Sequence, residues 1–226
     1  MVIVAALALI TPAWATEITL SAPGTDGWKA LRFRKIERQT IYTAARIDDL
    51  DAVRAVSECA ASALYLAAGH IDLAQTPRLH WRWRIEHGLQ IGDERTKAGD
   101  DFAARVYVMF QFDAARASLW ERLQHTLGTR LYGDPIPGNT LNYVWSSHQP
   151  QGARWTSPYT ASSKLVSLGD GPLPQWKEEV VDVAADYRSL FSETPPTLLA
   201  VAVMTDSDNS CQQAVAEYAD FSFLSR

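Results

Sequence analysis

The sequence predicts an all-β protein, an antiparallel β-sandwich or jelly roll with one or two short helices. Three observations carry this. Leu79, Trp81, Trp83 and Ile85 alternate strictly with His80, Arg82, Arg84 and Glu86, the period of a strand with one buried face. Phe102 to Phe112 repeats the pattern with large side chains on both faces, so it is expected to be a central strand. About ten short segments of this kind are separated by Gly, Pro, Asn and Asp turns, the spacing of sandwiches and barrels.

Taken in order, Met1 to Ala15 reads as a secretory signal. Val2 to Ile10 is apolar, Pro12 breaks the run, and Ala13-Trp14-Ala15 fits a small-x-small cleavage pattern, although the usual basic start is missing. A single sandwich domain, residues 16–226, is expected to follow. Glu17 to Leu20 is a short strand. Leu31, Phe33 and Ile36 begin an alternating segment, which we pair as a hairpin with Thr40–Ile47 around Glu37-Arg38-Gln39. Residues 51–68 are open between two readings. Their alanine content favours a helix, and Arg54, Glu58 and Ser62 would share a polar face. The alternation of Val53, Ala55 and Ser57, and later of Leu64, Leu66 and Ala68, instead indicates two strands joined near Ala60–Ser62, the reading we adopt.

After the two patterned strands, Leu119, Leu123, Leu127 and Leu131 recur at helical spacing, placing a helix over Ala117–Leu131. Leu141–Trp145 and Ser162–Leu168 are strands flanking a turn-rich loop, Gln149–Pro158. Trp176–Val183 is a strand and Ala184–Phe191 a short helix. Leu198–Met204 is an apolar run between turn signals and reads as a buried central strand. Glu217–Leu224 alternates and closes the sheet.

Composition narrows the function classes. The net charge is −5 with pI about 5.5, and there is no Lys/Arg-rich run, which argues against nucleic acid and anionic lipid. The N-terminal apolar run is too short to span a membrane, and no second hydrophobic stretch reaches spanning length. Cys59 and Cys211 are the only cysteines; in an oxidising compartment they permit one disulfide, with two separate buried thiols as the competing reading. His70, His80, His87, His125 and His148 show no metal-ligand spacing, and neither a Gly-x-Ser-x-Gly elbow nor a phosphate loop is present.

Three groups could carry chemistry. Asp100 and Asp101 stand at the entrance of a strand whose Arg105 and Tyr107 share one face. They could bind a cation, hold sugar hydroxyls or act as acid and base; a structural Asp–Arg pair is the plainer alternative. Asp206, Asp208 and Asn209 form an oxygen-rich loop after the central strand. Calcium is conceivable there, but the loop lacks the glycine and terminal glutamate of an EF-hand, and a capped polar turn is the plainer reading. Asn142, with Tyr143, Trp145 and Trp176, could line a sugar site, unless the aromatics are core.

Pro77 followed by Leu79-x-Trp81-x-Trp83, the run Lys97-x-Gly99 to Val108, Leu141 to Trp145, and Val203 to Asn209 together resemble the bacterial family called domain of unknown function 3047, from about Trp28 to Phe223. The resemblance implies a secreted or periplasmic protein and supplies no catalytic residue. More loosely, the layout is similar to galactose-binding-like jelly rolls, a fold-level analogy. The function expected is binding of a carbohydrate or other polar ligand through Asp100, Asp101, Arg105, Tyr107, Asn142, Asp206, Asp208 and Asn209. The alternatives are a polysaccharide hydrolase or lyase using paired carboxylates, which leave no sequence signature, and a structural envelope protein.

Overall fold

The computed structural model describes residues 16–115 and 137–226. The segment Met1–Ala15 and the helix expected over Ala117–Leu131 lie outside the described residues. Among the described residues, thirteen strands form two sheets. The first holds β1 (Glu17–Thr19), β3 (Ile41–Ile47), β4 (Leu50–Glu58), β6 (Arg78–His87), β11 (Lys177–Asp182) and β13 (Gln213–Leu224), in the order β11-β6-β13-β4-β3 with β1 also on β13. The second holds β2 (Lys29–Arg32), β5 (Ala61–Ala67), β7 (Arg105–Phe110), β8 (Thr140–Val144), β9 (Arg154–Thr156), β10 (Ser163–Ser167) and β12 (Leu198–Asp206), in the order β2-β5-β12-β7-β8-β10-β9. All pairings are antiparallel except β8 with β10. Among the described residues, an α-helix, α1 (Val183–Phe191), follows β11 and is capped by the Asp182 side chain on the Ala185 N–H at 2.8 Å. The protein is a β-sandwich of the jelly-roll kind.

The core lies between the sheets. Trp81 and Trp83 are fully buried and meet edge to face, with ring centroids 5.3 Å apart. Val106, Val108 and Phe110 of β7 and Val201 and Val203 of β12 face them from the second sheet. Each such side chain contributes about 1.5–3 kcal/mol by leaving water. The opposite face of β6 holds Arg82 and Arg84 in ion pairs with Glu178, Asp220, Asp48 and Glu217, with His80 Nε2 3.1 Å from Glu178 Oε1.

Residues 51–68 are two strands, and they belong to different sheets. Helix propensity yields because both β4 and β5 are buried among neighbours on two sides. The chain crosses between sheets at Cys59-Ala60, and the β12–β13 connection crosses back beside it. The disulfide Cys59–Cys211 joins these two crossovers, with Cα atoms 3.9 Å apart.

Three expectations are corrected. The hairpin around Glu37-Arg38-Gln39 does not exist. β2 pairs with β5 in one sheet, and β3 pairs with β4 in the other through a two-residue turn at Asp48-Asp49, both with positive φ. The Gln149–Pro158 loop contains β9, whose three residues are too few to show a period. Finally, β13 lies inside its sheet between β4 and β6 rather than closing it. Its alternation is broken by a bulge near Asp220, where φ is 56°, so Ala216 and Tyr218 face the core before the break and Phe221 and Phe223 after it.

One glycine controls the approach to β7. A methyl group on Gly99 would lie 2.1 Å from the Asp93 carbonyl oxygen, a backbone atom that cannot step aside alone. Gly99→Ala is expected to destabilise the fold by about 1–3 kcal/mol, measured as an earlier urea midpoint; an unchanged midpoint would show that the Asp93–Gly99 turn relaxes freely.

Candidate functional site

The pairing of β12 with β7 sets Met204 opposite Arg105 and leaves Asp206 at the strand end, beside Phe102. Arg105 Nε donates to Asp206 Oδ1 at 2.7 Å, and Arg105 Nη2 donates both to Asp206 Oδ2 and to the Asp100 carbonyl, the latter at 2.6 Å. Arg105 Nη1 lies 3.5 Å from Asp100 Oδ1 and 3.3 Å from the Tyr107 hydroxyl. The guanidinium also rests on the Phe102 ring, 4.6 Å from its centroid. Arg105 and Asp206 are 3% and 1% exposed.

A second knot adjoins the first. Asp101 Oδ1 accepts from the Asn209 backbone N–H at 3.2 Å and its side-chain amide at 3.0 Å, and Oδ2 accepts from the Ser210 N–H at 2.6 Å. Asp101 thereby holds the loop that leads into Cys211. Asp208 is half-buried and Asn209 exposed, under the exposed ring of Tyr159, whose hydroxyl donates to Asn209 Oδ1 at 3.0 Å.

The structure thus brings Asp100, Asp101, Arg105, Tyr107, Asp206, Asp208 and Asn209 into one cluster. Asp100, Asp101, Arg105 and Asp206 are sealed from water. Asn142 faces Tyr107 across the β7–β8 pairing, buried, with its Oδ1 lacking a hydrogen bond. Tyr143 is core and donates to Asp186 at 3.0 Å; Trp176 lies elsewhere, donating to Asp48. Among the described residues, Asp101, Asp206 and Asp208 bring three carboxylate oxygens within 4.8 Å of one another, the group best placed to hold a cation. Yet Asp206 is bidentate with a guanidinium and Asp101 accepts three N–H donors, so both are already committed.

Burial raises the carboxyls of Asp100, Asp208 and Asp206, the last to about 8, against the opposing pull of Arg105. A carboxyl raised in the folded state keeps a proton that the unfolded chain has released. Its stabilising contribution is complete below the unfolded value of about 4 and is lost as pH climbs through the folded value. The melting temperature is therefore expected to fall from about pH 5 to pH 8, and Asp100→Asn to flatten that slope. Thermal melts across this range check both; a melting temperature that rises with pH would contradict the assignment.

An open cleft lies beside this cluster and was not foreseen. It encloses about 390 Å³ between the end of β6, the end of β8 and the 170–173 turn. Glu86, His87, Gln90, Ser147, Asp170 and Gln212 supply polar atoms; Leu89, Trp145 and the half-exposed Leu173 supply apolar surface. Among the described residues, no Lys or Arg lines the cleft. Gln212 and Gln90 are locked together, Oε1 accepting from the Gln90 N–H and Nε2 donating to the Gln90 carbonyl, both at 2.9 Å. A void of about 10 Å³ between Glu94 and Asp101 shares Gly88, Leu89, Trp145 and Ser147 with the cleft. Of the buried cluster, Asp101 lines this void, and the loop that Asp101 holds runs through Cys211 into Gln212. The sequence signal was faint: His87-Gly88 and Asp170-Gly171 are polar residues at turns after strands, with no spacing to connect them.

Among solved structures, the chain is similar to endoglucanase 3 of glycoside hydrolase family 12 from Trichoderma harzianum, at 8% identity and a TM-score of 0.41, over 95% of this chain and 99% of that one. It is similar to endoglucanase Cel12A from Rhodothermus marinus at 10% identity and a TM-score of 0.41, over 92% and 98%. No curated protein matches. The family described as "Protein of unknown function (DUF3047)" matches residues 26–222, nearly the whole sandwich, and the chain belongs to that family.

Proposed function

We propose that this protein binds a neutral, polyhydroxylated ligand of the carbohydrate class in the cleft between β6, β8 and the 170–173 turn. The supporting observation is the cleft itself, of ligand size and lined by carboxylate, imidazole and amide groups beside Trp145 and leucine surface. Such a lining offers partners to hydroxyls and cover to the apolar faces of a sugar ring, and with no Lys or Arg among the described lining residues it offers an anion no fixed positive charge. Asp101 supports the site by holding the loop that carries Gln212. The commitment of Asp100, Asp101 and Asp206 to protein donors leaves Glu86 and Asp170 as the carboxylates that face a ligand in the cleft. Calcium is not required in this reading, since the Arg105 guanidinium already faces the carboxylates. The Cys59–Cys211 disulfide supports an extracytoplasmic location, periplasmic or secreted. Among the described residues no helix is long and apolar enough to cross a membrane.

Calorimetry against neutral cell-wall oligosaccharides, with and without calcium, tests this. Binding that is unaffected by calcium is expected, weakened at least about tenfold by Asp170→Ala or Gln212→Ala. Binding that survives both substitutions, or requires calcium, would move the site to Asp101, Asp206 and Asp208; turnover of the sugars would make the protein an enzyme.

A further inference from the structure

β11 is the edge strand of its sheet, and it turns two charged side chains inward. Lys177 stands opposite Trp83 and Glu179 opposite Trp81, so both share the core face, while Glu178 and Val180 point to solvent. Glu179 is 6% exposed and lies beside the Trp83 indole. Lys177 Nζ is 2.9 Å from Glu179 Oε1, donates to the Leu168 carbonyl, and sits 5.5 Å from the centroid of the Trp145 ring. Trp145 in turn meets Trp83 edge to face at 5.9 Å. On the other side of Lys177 lies Gly171. A methyl there would come within 3.1 Å of Trp145 Cη2 and 3.7 Å of Lys177 Cδ, so the 170–173 turn rests directly on both.

We propose that Lys177 and Glu179 are a positioning pair for the cleft: the ammonium ties Trp145 to the strand end that carries the 170–173 turn, and the carboxylate holds the ammonium in place. The proposal rests on the reading of the cleft as the ligand site. Trp145 and Gly171 are adjacent contributors to its wall, one just after β8 and one from the loop after β10, and Lys177 lies against both. Glu179 keeps the lysine from swinging out to solvent, where a free four-carbon chain gains rotamer entropy. Burial raises the Glu179 carboxyl, and Lys177 opposes that shift. The competing role for inward charges on an edge strand is protection against edge-to-edge pairing, which needs the charges and not the contact to Trp145.

The test reads the ligand-free protein first. The Trp145 indole N–H resonance is assigned with Trp145→Phe, and its shift is followed in Lys177→Met, Lys177→Arg and Glu179→Gln together with the Gly169 and Gly171 amides. Lys177→Met and the milder Glu179→Gln are expected to shift all three resonances and raise acrylamide quenching of Trp145, while Lys177→Arg restores most of the native pattern. Oligosaccharide affinity is expected to fall roughly tenfold in Lys177→Met, the low end for partners that orient a binding group. Unchanged Trp145 and Gly171 signals in both Lys177→Met and Glu179→Gln would overturn the proposal, and aggregation in place of a shift would assign the pair to edge protection. If the wild type binds no sugar, the ligand reading fails, yet the indole shift still decides the positioning role.

Discussion

Arg105→Met is expected to destabilise the protein by about 3–5 kcal/mol at pH 8, the range for removing one partner of a buried ion pair. Arg105 is the cation on which Asp206 and Asp100 converge, and its guanidinium makes contacts with Asp206 through two nitrogens and with the Asp100 carbonyl besides. Without it, these carboxyls lose the influence that opposes burial, so their upward shift grows. They then escape the low-dielectric charge by taking protons. The loss is expected to shrink at pH 5, where protonation is easy, and the pH slope of the melting temperature is expected to steepen relative to wild type. Urea unfolding at the two pH values reads this directly. An equal loss at both would mean that the missing guanidinium contacts, rather than the unpaired carboxylates, carry the effect.

Reduction of the disulfide is the other large effect. Cys59 and Cys211 are separated by 152 residues, and closing a loop of this order restricts the unfolded chain by about 4–5 kcal/mol in the chain-entropy account. The bond also sits where two chain crossings pass between the sheets. Ser57 Oγ donates to the Ala60 carbonyl at 2.7 Å and pairs with Ser207 Oγ at 2.8 Å, so the corner has hydrogen bonds of its own. The double variant Cys59→Ser/Cys211→Ser is therefore expected to fold, with a much lower urea midpoint and faster amide exchange at residues 207–212. Exchange that stays slow there would show that the hydrogen bonds alone hold the corner.

The sequence disclosed faces well and neighbours poorly. Trp81 and Trp83 announced their core position by phase with Leu79 and Ile85, because alternation reports burial directly. The same alternation in Thr40–Ile47 says nothing of which strand lies alongside, and β3 pairs forward to β4 although pairing backward fitted the pattern as well. The Asp220 bulge shifts the phase of β13 inside what reads as one run. In the site, Asp100, Asp101, Arg105 and Asp206 were each visible as polar groups at strand ends. Their meeting depends on the Met204–Arg105 pairing, which brings Arg105 and Asp206 together across 101 residues of chain, and on the Asp100–Phe102 segment that folds over them. The cleft was invisible for a related reason: His87, Asp170 and Gln212 come from three turns that only the assembled sandwich sets together.

Ligand is expected to enter the cleft, while Asp101 of the Arg105 cluster holds the loop that carries Gln212. Amide and indole shift mapping during titration with a neutral oligosaccharide tests this most directly. Saturable shifts are expected at Gly88, Gln90, Gly171, Gln212 and the Trp145 indole, with smaller changes at Asn209 and Ser210 through the shared loop. Largest shifts at Asp100–Arg105 and Asp206–Asn209, with the cleft residues unmoved, would contradict it.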